Sequence, residues 1–246
     1  MTPSEEKMLL ARLEDLEKGA ERGKPCFSRF LDPGEVAVWE RHVHPRQPFM
    51  LWGGYEDAER KMLGFFPDFL EPSPSLFPLC ALRLKSKEEL SHRTVLGSLM
   101  GLGIERNLLG DVAMEEAGPV VIVCDSIADY IHMNLTKAGH ARVQTEEVAP
   151  EQLSILPKAF QVIDGTVASL RLDCVLGLLT GVSRSGAEEL LKREFVSVNH
   201  SVCTRGSVTV AAGDVLSVRK FGRAVVDEIL GETKKGRIRI SLKKYI

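Results

Sequence analysis

Three stretches near the end of the chain decide its architecture: RLDCVLGLL (171–179), SRSGAEELLKREFVSVN (183–199) and GDVLSVRKFGR (213–223). Leucines and valines recur in the first two at the three- and four-residue spacing of an amphipathic helix, which predicts helices over 168–179 and from Ser183 or Ser185 onward. The valines that follow alternate with polar residues, as they do in short strands. This pattern predicts two helices packed on a small, mostly antiparallel sheet.

The charge of the chain is strongly polarised. Residues 165–246 contain 14 Lys and Arg against 8 Asp and Glu, a net charge of +6. The preceding residues contain 18 Lys and Arg against 26 Asp and Glu, a net charge of −8. A basic end of this kind predicts a polyanionic partner, and RNA is the partner that we expect.

Bulk composition excludes several classes of protein. The chain is 44% hydrophobic and 27% charged, as globular proteins are, and it contains no run of about 18 apolar residues that predicts a membrane span. The first residues, MTPSEEKMLL, lack the apolar stretch of a signal peptide, so we expect a cytoplasmic protein with no membrane partner. The five cysteines stand singly, and His42 and His44 have no ligand cluster nearby, so no metal and no cofactor are predicted.

Two further regions precede the basic module, which itself is predicted to occupy 161–246. Residues 1–74 read as an N-terminal α/β region. It begins with a helix over 5–20 that Ser4 caps, and 48–60 predict a strand, a Gly-Gly turn and the start of a helix. The proline-dense stretch 67–78 is expected to be a loop or linker.

The middle region, 75–160, is more regular. Apolar runs and helical periods alternate in the order β-α-β-β-α-β, with its second helix over 126–139, which predicts a ferredoxin-like (RRM-like) domain. The whole chain is therefore expected to be α+β. RNA-recognition domains of this topology stack bases on aromatic side chains in their central strands, but the candidate strands here contain no aromatic residue. We therefore expect this sheet to be a scaffold or a protein contact.

The segment SHRTVLGSLMGLGIERNLLGDV (91–112) includes four glycines, a histidine and an aspartate. Its GLGIERNLLG does not fit the GxGxxG phosphate-binding pattern, and no strand runs directly into it. We therefore interpret it as a structural cluster of turns and ion pairs. An anion site or a catalytic His–Asp pair is the alternative.

The best candidate for phosphate contact is SRS at 183–185. A helix N-terminus presents free N–H groups and a partial positive charge, and Arg184 adds a forked donor. Other basic residues are expected to share this surface. From their positions along the chain, the candidate RNA contacts are Arg171, Ser183, Arg184, Ser185, Lys192, Arg205, Arg219, Lys220 and Arg223.

The pattern RLD…SR…A…L…V.VN…GD..SVR closely resembles the small RNA-binding module first known from the fourth small-subunit ribosomal protein, here called the S-four domain. In that family the two helices and the adjacent strand contact RNA. The resemblance supports Arg171, Lys192 and the SRS residues as contacts, and it adds Arg193 and Asn199.

Three longer segments are similar to the YlmH family of bacterial RNA-binding proteins: GGYEDAER (53–60), residues 91–112 as quoted above, and SVRKFGRAVVDEILGETKKGRIRISLKKY (217–245). The resemblance implies a non-enzymatic factor that binds ribosomal RNA and peptidyl-tRNA. It further implies association with the large ribosomal subunit during rescue and quality control of stalled translation. The resemblance also implies an association with cell division.

Two alternative functions stay open at this point. Pseudouridine synthases carry an S-four domain and a catalytic aspartate in an RLD motif, so Asp173 suggests an RNA-modifying enzyme. The motif here lies inside the binding module, and only 73 residues follow it, which are too few for that catalytic domain. The second alternative is an adaptor linked to cell division, whose acidic N-terminal region binds another protein.

Overall fold

The chain is described by a computed structural model over residues 1–156 and 159–245. It divides into two units, Met1–Leu156 and Pro157–Ile246, and each has its own hydrophobic core. Helices and antiparallel sheets occur in both, which confirms the predicted α+β class. Positions 157, 158 and 246, which the predicted second and third domains include, lie outside the described residues.

The first unit begins with two helices and a small three-stranded sheet. These elements are α1 (Pro3–Ala20), β1 (Cys26–Phe27), α2 (Pro33–His42), β2 (Phe49–Trp52) and β3 (Met62–Phe65). The cap of α1 is Thr2, not Ser4 as predicted: the Thr2 hydroxyl accepts from the Glu5 N–H at 3.3 Å, and the Glu5 carboxylate accepts from the Thr2 N–H at 2.6 Å. Pro3 explains the difference, because proline favours the first helical position and moves the cap to the residue before it.

The helix predicted to start within 48–60 is also absent. β2 and β3 instead form an antiparallel hairpin, and β1 pairs with the other edge of β3. The backbone N–H groups of Glu59 and Arg60 donate to the Asp111 carboxylate, at 2.6 and 3.2 Å. Asp111 is distant in the chain, and its carboxylate accepts hydrogen bonds from two backbone N–H groups within the predicted helix.

A four-stranded antiparallel sheet with two helices completes the first unit. Its elements are β4 (Leu79–Lys85), α3 (His92–Gly101), β5 (Leu109–Glu115), β6 (Gly118–Cys124), α4 (Ala128–Asn134), β7 (Lys137–Ala138), β8 (Ala141–Arg142) and β9 (Gln144–Val148). The sheet has the order β5-β6-β4-β9, and β7 and β8 form a separate ribbon. The helix predicted over 126–139 is therefore too long. Leu135, Ala138 and Ala141 turn into the core instead, and this burial replaces the last helical turns.

Both faces of this four-stranded sheet are covered. One face packs against α3 and α4, where Val95, Leu99 and Ile131 are buried. The other face packs against the N-terminal elements in a cluster of fully buried side chains from both parts: Phe30, Met62, Phe66, Ala81, Val120 and Ile122. The proline-dense stretch contributes Phe77 to the same cluster, so it is a packed loop within one unit.

The second unit contains two helices packed on one face of a six-stranded antiparallel sheet. Its elements are β10 (Phe160–Val167), α5 (Leu172–Thr180), α6 (Arg184–Lys192), β11 (Val196–Val198), β12 (Ser201–Val202), β13 (Val215–Val218), β14 (Gly222–Glu232) and β15 (Ile238–Tyr245). The strand order is β10-β15-β14-β13-β11-β12. Leu172 and Leu176 of α5 pack on Leu216 and Leu242 of the sheet, and all four are fully buried.

The helix predicted from residue 168 begins instead at Leu172. The residues before it are extended, because Leu170 accepts from the Val210 N–H at 2.9 Å and the Leu172 N–H donates to Val208 at 2.7 Å. Pairing with a loop almost 40 positions away thus removes the predicted first turn. Among the described residues, no helix is long and apolar enough to cross a membrane.

Candidate nucleic-acid interface

The N-terminus of α6 is the centre of the candidate site. Ser183 is its cap: the Ser183 hydroxyl accepts from the Gly186 N–H at 3.2 Å. Of the two predicted starts, Ser183 is therefore the right one and Ser185 lies inside the helix. The hydroxyls of Ser183 and Ser185 lie 2.9 Å apart, and both residues are exposed beside Arg184.

A buried carboxylate holds Arg171 next to this helix end. The side chain of Asp173 is 2% exposed and accepts two hydrogen bonds from the Arg171 guanidinium, at 3.1 and 2.8 Å. These bonds hold the pKa of Asp173 below its ordinary value. Arg184 lies 3.7 Å from the same carboxylate, and 72% of its side chain is exposed. Asp173 therefore brings two arginines together, and the RLD motif has a structural role here.

Arg205 lies in a loop that packs against the same end of α5. The carbonyl of Gly206 accepts from the Asp173 N–H at 3.1 Å. A Cβ atom at Gly206 would lie 3.0 Å from the Cβ of Asp173, so only glycine allows this approach without a shift. We define the helix-end cluster as Arg171, Ser183, Arg184, Ser185 and Arg205.

Among the other predicted basic residues, Lys192 lies at the opposite end of α6, about 12 Å from Arg184 given the rise of a helix. Lys192 is exposed, and Arg193 forms an ion pair with Glu189 at 2.6 Å. The Arg219 guanidinium lies 5.0 Å from the centre of the Phe195 ring, and the Arg223 guanidinium 4.3 Å from the centre of the Tyr245 ring. We define the sheet-end cluster by its basic members: Lys192, Arg193, Arg219, Lys220 and Arg223.

Asn199 has a clear role inside the fold. It lies in the turn between β11 and β12 with a φ of 47°. Its side-chain amide donates to the Asp214 carboxylate at 2.8 Å, and its side-chain carbonyl accepts from the Val215 N–H at 2.9 Å. Asn199 thus ties this turn to the start of β13, and its contact with RNA stays a prediction.

Sequence reasoning missed the aromatic side chains of the second unit. Phe195 and Tyr245 each face an arginine, and the Phe160 ring lies 4.9 Å from that of Tyr245. Side chains alternate between the two faces of a strand, so the sequence indicates which residues share a face with Arg223 and which with Tyr245. That Arg223, Tyr245 and Phe160 are neighbours on one face follows only once the pairing of β14, β15 and β10 is known.

The segment 91–112 is a structural cluster, as predicted. The Asp111 carboxylate accepts from the Tyr55 hydroxyl at 2.8 Å as well as from the two N–H groups described above. The Arg60 guanidinium donates to the carbonyls of Leu109 and Phe30, at 3.0 and 3.1 Å. The Arg106 guanidinium is partly buried, and this burial is the largest cause that lowers its pKa to about 10. The 53–60 and 103–111 stretches therefore hold the N-terminal elements against the four-stranded sheet.

No group of three or more His, Cys, Asp and Glu side chains in the described part of the chain is arranged to hold a metal ion. His42, one of the two histidines considered above, has its Nδ1 atom 2.9 Å from the Val38 carbonyl in its own helix.

Comparison with known proteins identifies the family of this chain. A family model described as "Putative RNA-binding domain in YlmH" matches residues 78–152, which span β4 to β9. The chain is 36% identical over 219 residues to ribosome-associated protein quality control protein P2 of Bacillus subtilis (strain 168), covering 87% of this chain and 85% of that protein. It also matches a solved structure, cell division protein ylmH from Streptococcus pneumoniae, at 20% identity and a TM-score of 0.53. That match covers 63% of this chain and 98% of the solved one, and it concerns the fold alone.

The fold and the helix-end cluster define an α+β protein whose second unit presents an exposed, basic helix N-terminus. Its similarity to the Bacillus subtilis protein extends over most of both chains. The chain belongs to the YlmH family.

Proposed function

We propose that this protein is a non-enzymatic RNA-binding factor of the cytoplasm that associates with the ribosome. Its C-terminal module, 161–246, would bind structured ribosomal RNA or tRNA as an S-four domain. The observation that carries this proposal is the helix-end cluster, where Arg171, Arg184 and two serine hydroxyls surround the start of α6. Forked guanidinium donors beside free helix N–H groups match the geometry of a phosphate.

The biological setting is proposed from the family. The Bacillus subtilis relative is named as a ribosome-associated quality control protein. We propose that this chain likewise acts in the rescue and quality control of stalled translation, on the large ribosomal subunit and in contact with peptidyl-tRNA.

The middle region is proposed to be a ferredoxin-like domain over 75–160, following an N-terminal α/β region over 1–74. The family model attributes putative RNA binding to 78–152. Both faces of the sheet there are covered, so the bases of RNA have no open sheet surface on which to stack. Any RNA contact by this region would use its helices, loops or edges. We therefore assign the main RNA contact to the C-terminal module.

The geometry favours binding over catalysis at Asp173. Its carboxylate is 2% exposed and is occupied by the Arg171 guanidinium and the Cys174 N–H. A carboxylate in this position organises the binding surface. The acidic N-terminal region, within the stretch of net charge −8, is compatible with an additional protein partner.

RNA binding by the full-length protein is expected to weaken steeply with salt. If about four to six phosphates are neutralised, raising monovalent salt from about 50 to 200 mM should lower the affinity about 50- to 1,000-fold. Fluorescence anisotropy with a labelled ribosomal RNA fragment over a salt series measures the slope. An affinity that stays constant over this range would contradict phosphate contact as the main source of binding.

The variant Arg184→Ala is expected to weaken cosedimentation with ribosomes by about 1.5–3 kcal/mol, the range for a lost charged hydrogen bond. Its effect on the free energy of unfolding should stay within about 0.5 kcal/mol, because the side chain is 72% exposed and its ion pairs are long. Arg12→Ala on α1 is the matched control, since Arg12 is also an exposed helical arginine.

Two outcomes would count against the role of Arg184. Undiminished cosedimentation of Arg184→Ala would remove this residue from the binding site. A large drop in its melting temperature, without a comparable drop for Arg12→Ala, would mean that Arg184 supports the fold.

A further inference from the structure

The six-stranded sheet of the second unit has a second face, opposite α5 and α6. Leu216, Ala224 and Leu242 point towards the helices and are fully buried. Side chains alternate along a strand, so the neighbours of these residues point the other way. On that other face Phe160 is 40% exposed and Val162 is 55% exposed. We call this surface the outer sheet face.

Strand pairing sets a row of side chains across the outer sheet face. Ser197 pairs with Ser217, and Ser217 pairs with Arg223. At the far end, Tyr245 pairs with Phe160. Arg223 on β14 and Tyr245 on β15 are next to each other, because the residues beside them, Ala224 and Lys244, form a pair. The row therefore crosses five strands, from β11 to β10.

Three planar groups lie side by side in this row. The Arg223 guanidinium lies 4.3 Å from the centre of the Tyr245 ring. The Tyr245 and Phe160 rings have centroids 4.9 Å apart and planes at 58°. Adjacent strands are about 4.8 Å apart, so the row offers planar surfaces at intervals close to the strand spacing. Aromatic rings and guanidinium planes are the surfaces on which unpaired bases stack.

The surroundings of the row are basic. The turn that joins β13 to β14 carries Arg219 and Lys220, both exposed. Lys243 lies in the next row with 43% of its side chain exposed, although it is paired with Asp227 at 2.9 Å. A base that stacks on the row would thus have cations near its phosphate. Such cations suit a nucleic-acid strand better than a neutral or basic peptide.

We propose that the outer sheet face is a second RNA-binding surface, on which Phe160, Tyr245 and Arg223 stack unpaired bases. This proposal rests on the proposed RNA binding by the C-terminal module. The RNA that this surface would bind is a single-stranded segment. The helix-end cluster holds phosphates on the other side of the same unit. The middle sheet is covered on both faces, so the stacking surface lies in the second unit.

Binding of the full-length protein to a labelled ten-nucleotide oligo-adenylate tests the proposal. Phe160→Leu and Tyr245→Leu keep an apolar side chain but remove the ring, and each should lower the affinity about 5- to 150-fold, the range for the loss of one stacked base. Tyr245→Phe keeps the ring and should bind as the wild type does. Affinity for an RNA duplex should stay within about twofold in all three variants, because its bases are already stacked.

The salt dependence separates stacking from charge. The two leucine variants should keep the wild-type slope of log affinity against log salt, since they remove no cation. Arg223→Gln should lower that slope by about one. Thermal melts of each variant accompany the binding measurements. They show whether a loss of affinity in Tyr245→Phe or in the leucine variants is caused by unfolding.

Two results would overturn the proposal. One is wild-type affinity for oligo-adenylate in both leucine variants, which would leave the outer sheet face to a protein partner. The other is an equal loss of affinity for oligo-adenylate and for the duplex, which would mean that this surface does not stack unpaired bases. Either result can occur while Arg184→Ala still loses ribosome binding, so failure of this surface is distinguishable from failure of the proposed function.

Discussion

Glu115→Ala is expected to destabilise the first unit by about 3–5 kcal/mol, the range for removing one partner of a buried ion pair. The Glu115 side chain is 2% exposed and accepts two hydrogen bonds from the Arg83 guanidinium, at 2.9 and 2.7 Å. It also accepts from the Ser154 N–H at 2.5 Å. The alanine variant leaves an arginine that is only 18% exposed without its counter-charge.

Urea denaturation monitored by circular dichroism measures this loss. The matched control is Glu146→Ala, which removes the neighbouring Lys85–Glu146 pair on the same sheet. Its side chains are 55% and 47% exposed, so the expected loss is below about 1 kcal/mol. Similar losses in the two variants would mean that burial of the Arg83–Glu115 pair contributes little.

The second large effect is expected for Asp111→Ala, at about 2–4 kcal/mol. One carboxylate there accepts from the Tyr55 hydroxyl and from the N–H groups of Glu59 and Arg60. Hydrogen bonds to a charged group contribute about 1.5–3 kcal/mol each, and their losses in one network are not additive. In the alanine variant, the backbone N–H groups of Glu59 and Arg60 also lose their hydrogen-bond acceptor.

Asp111→Asn is the informative control, because its side-chain carbonyl still accepts a hydrogen bond while the charge is gone. It should fall between the wild type and Asp111→Ala in the free energy of unfolding. Asp129→Ala, at an exposed position in the first turn of α4, should change that free energy by no more than about 0.5 kcal/mol. An Asp111→Ala variant as stable as Asp129→Ala would refute the role of this carboxylate in joining the two parts of the first unit.

Local patterns in the sequence determined the elements whose hydrogen bonds and burial follow from their own residues. The helix α6 begins at one of its two predicted caps. The polarised charge and the SRS motif also identified the second unit as the basic end of the chain, because charge and capping chemistry belong to individual residues. The α+β class followed from the order of these elements.

Tertiary structure decided the features that depend on partners distant in the chain. Asp111 prevents the helix expected near residue 59, and the 208–210 loop removes the first predicted turn of α5. Arg171 and Arg184 of the helix-end cluster look alike in sequence, yet Arg171 is bound twice to Asp173 and Arg184 is mainly exposed.

The aromatic row has the same origin. Phe160 and Tyr245 are 85 positions apart in the chain, and only antiparallel pairing of β10 with β15 places them side by side. The charge and periodicity of a segment are local properties that can be read from its residues. The groups it meets depend on which strands pair and which faces are buried, and those are properties of the whole fold.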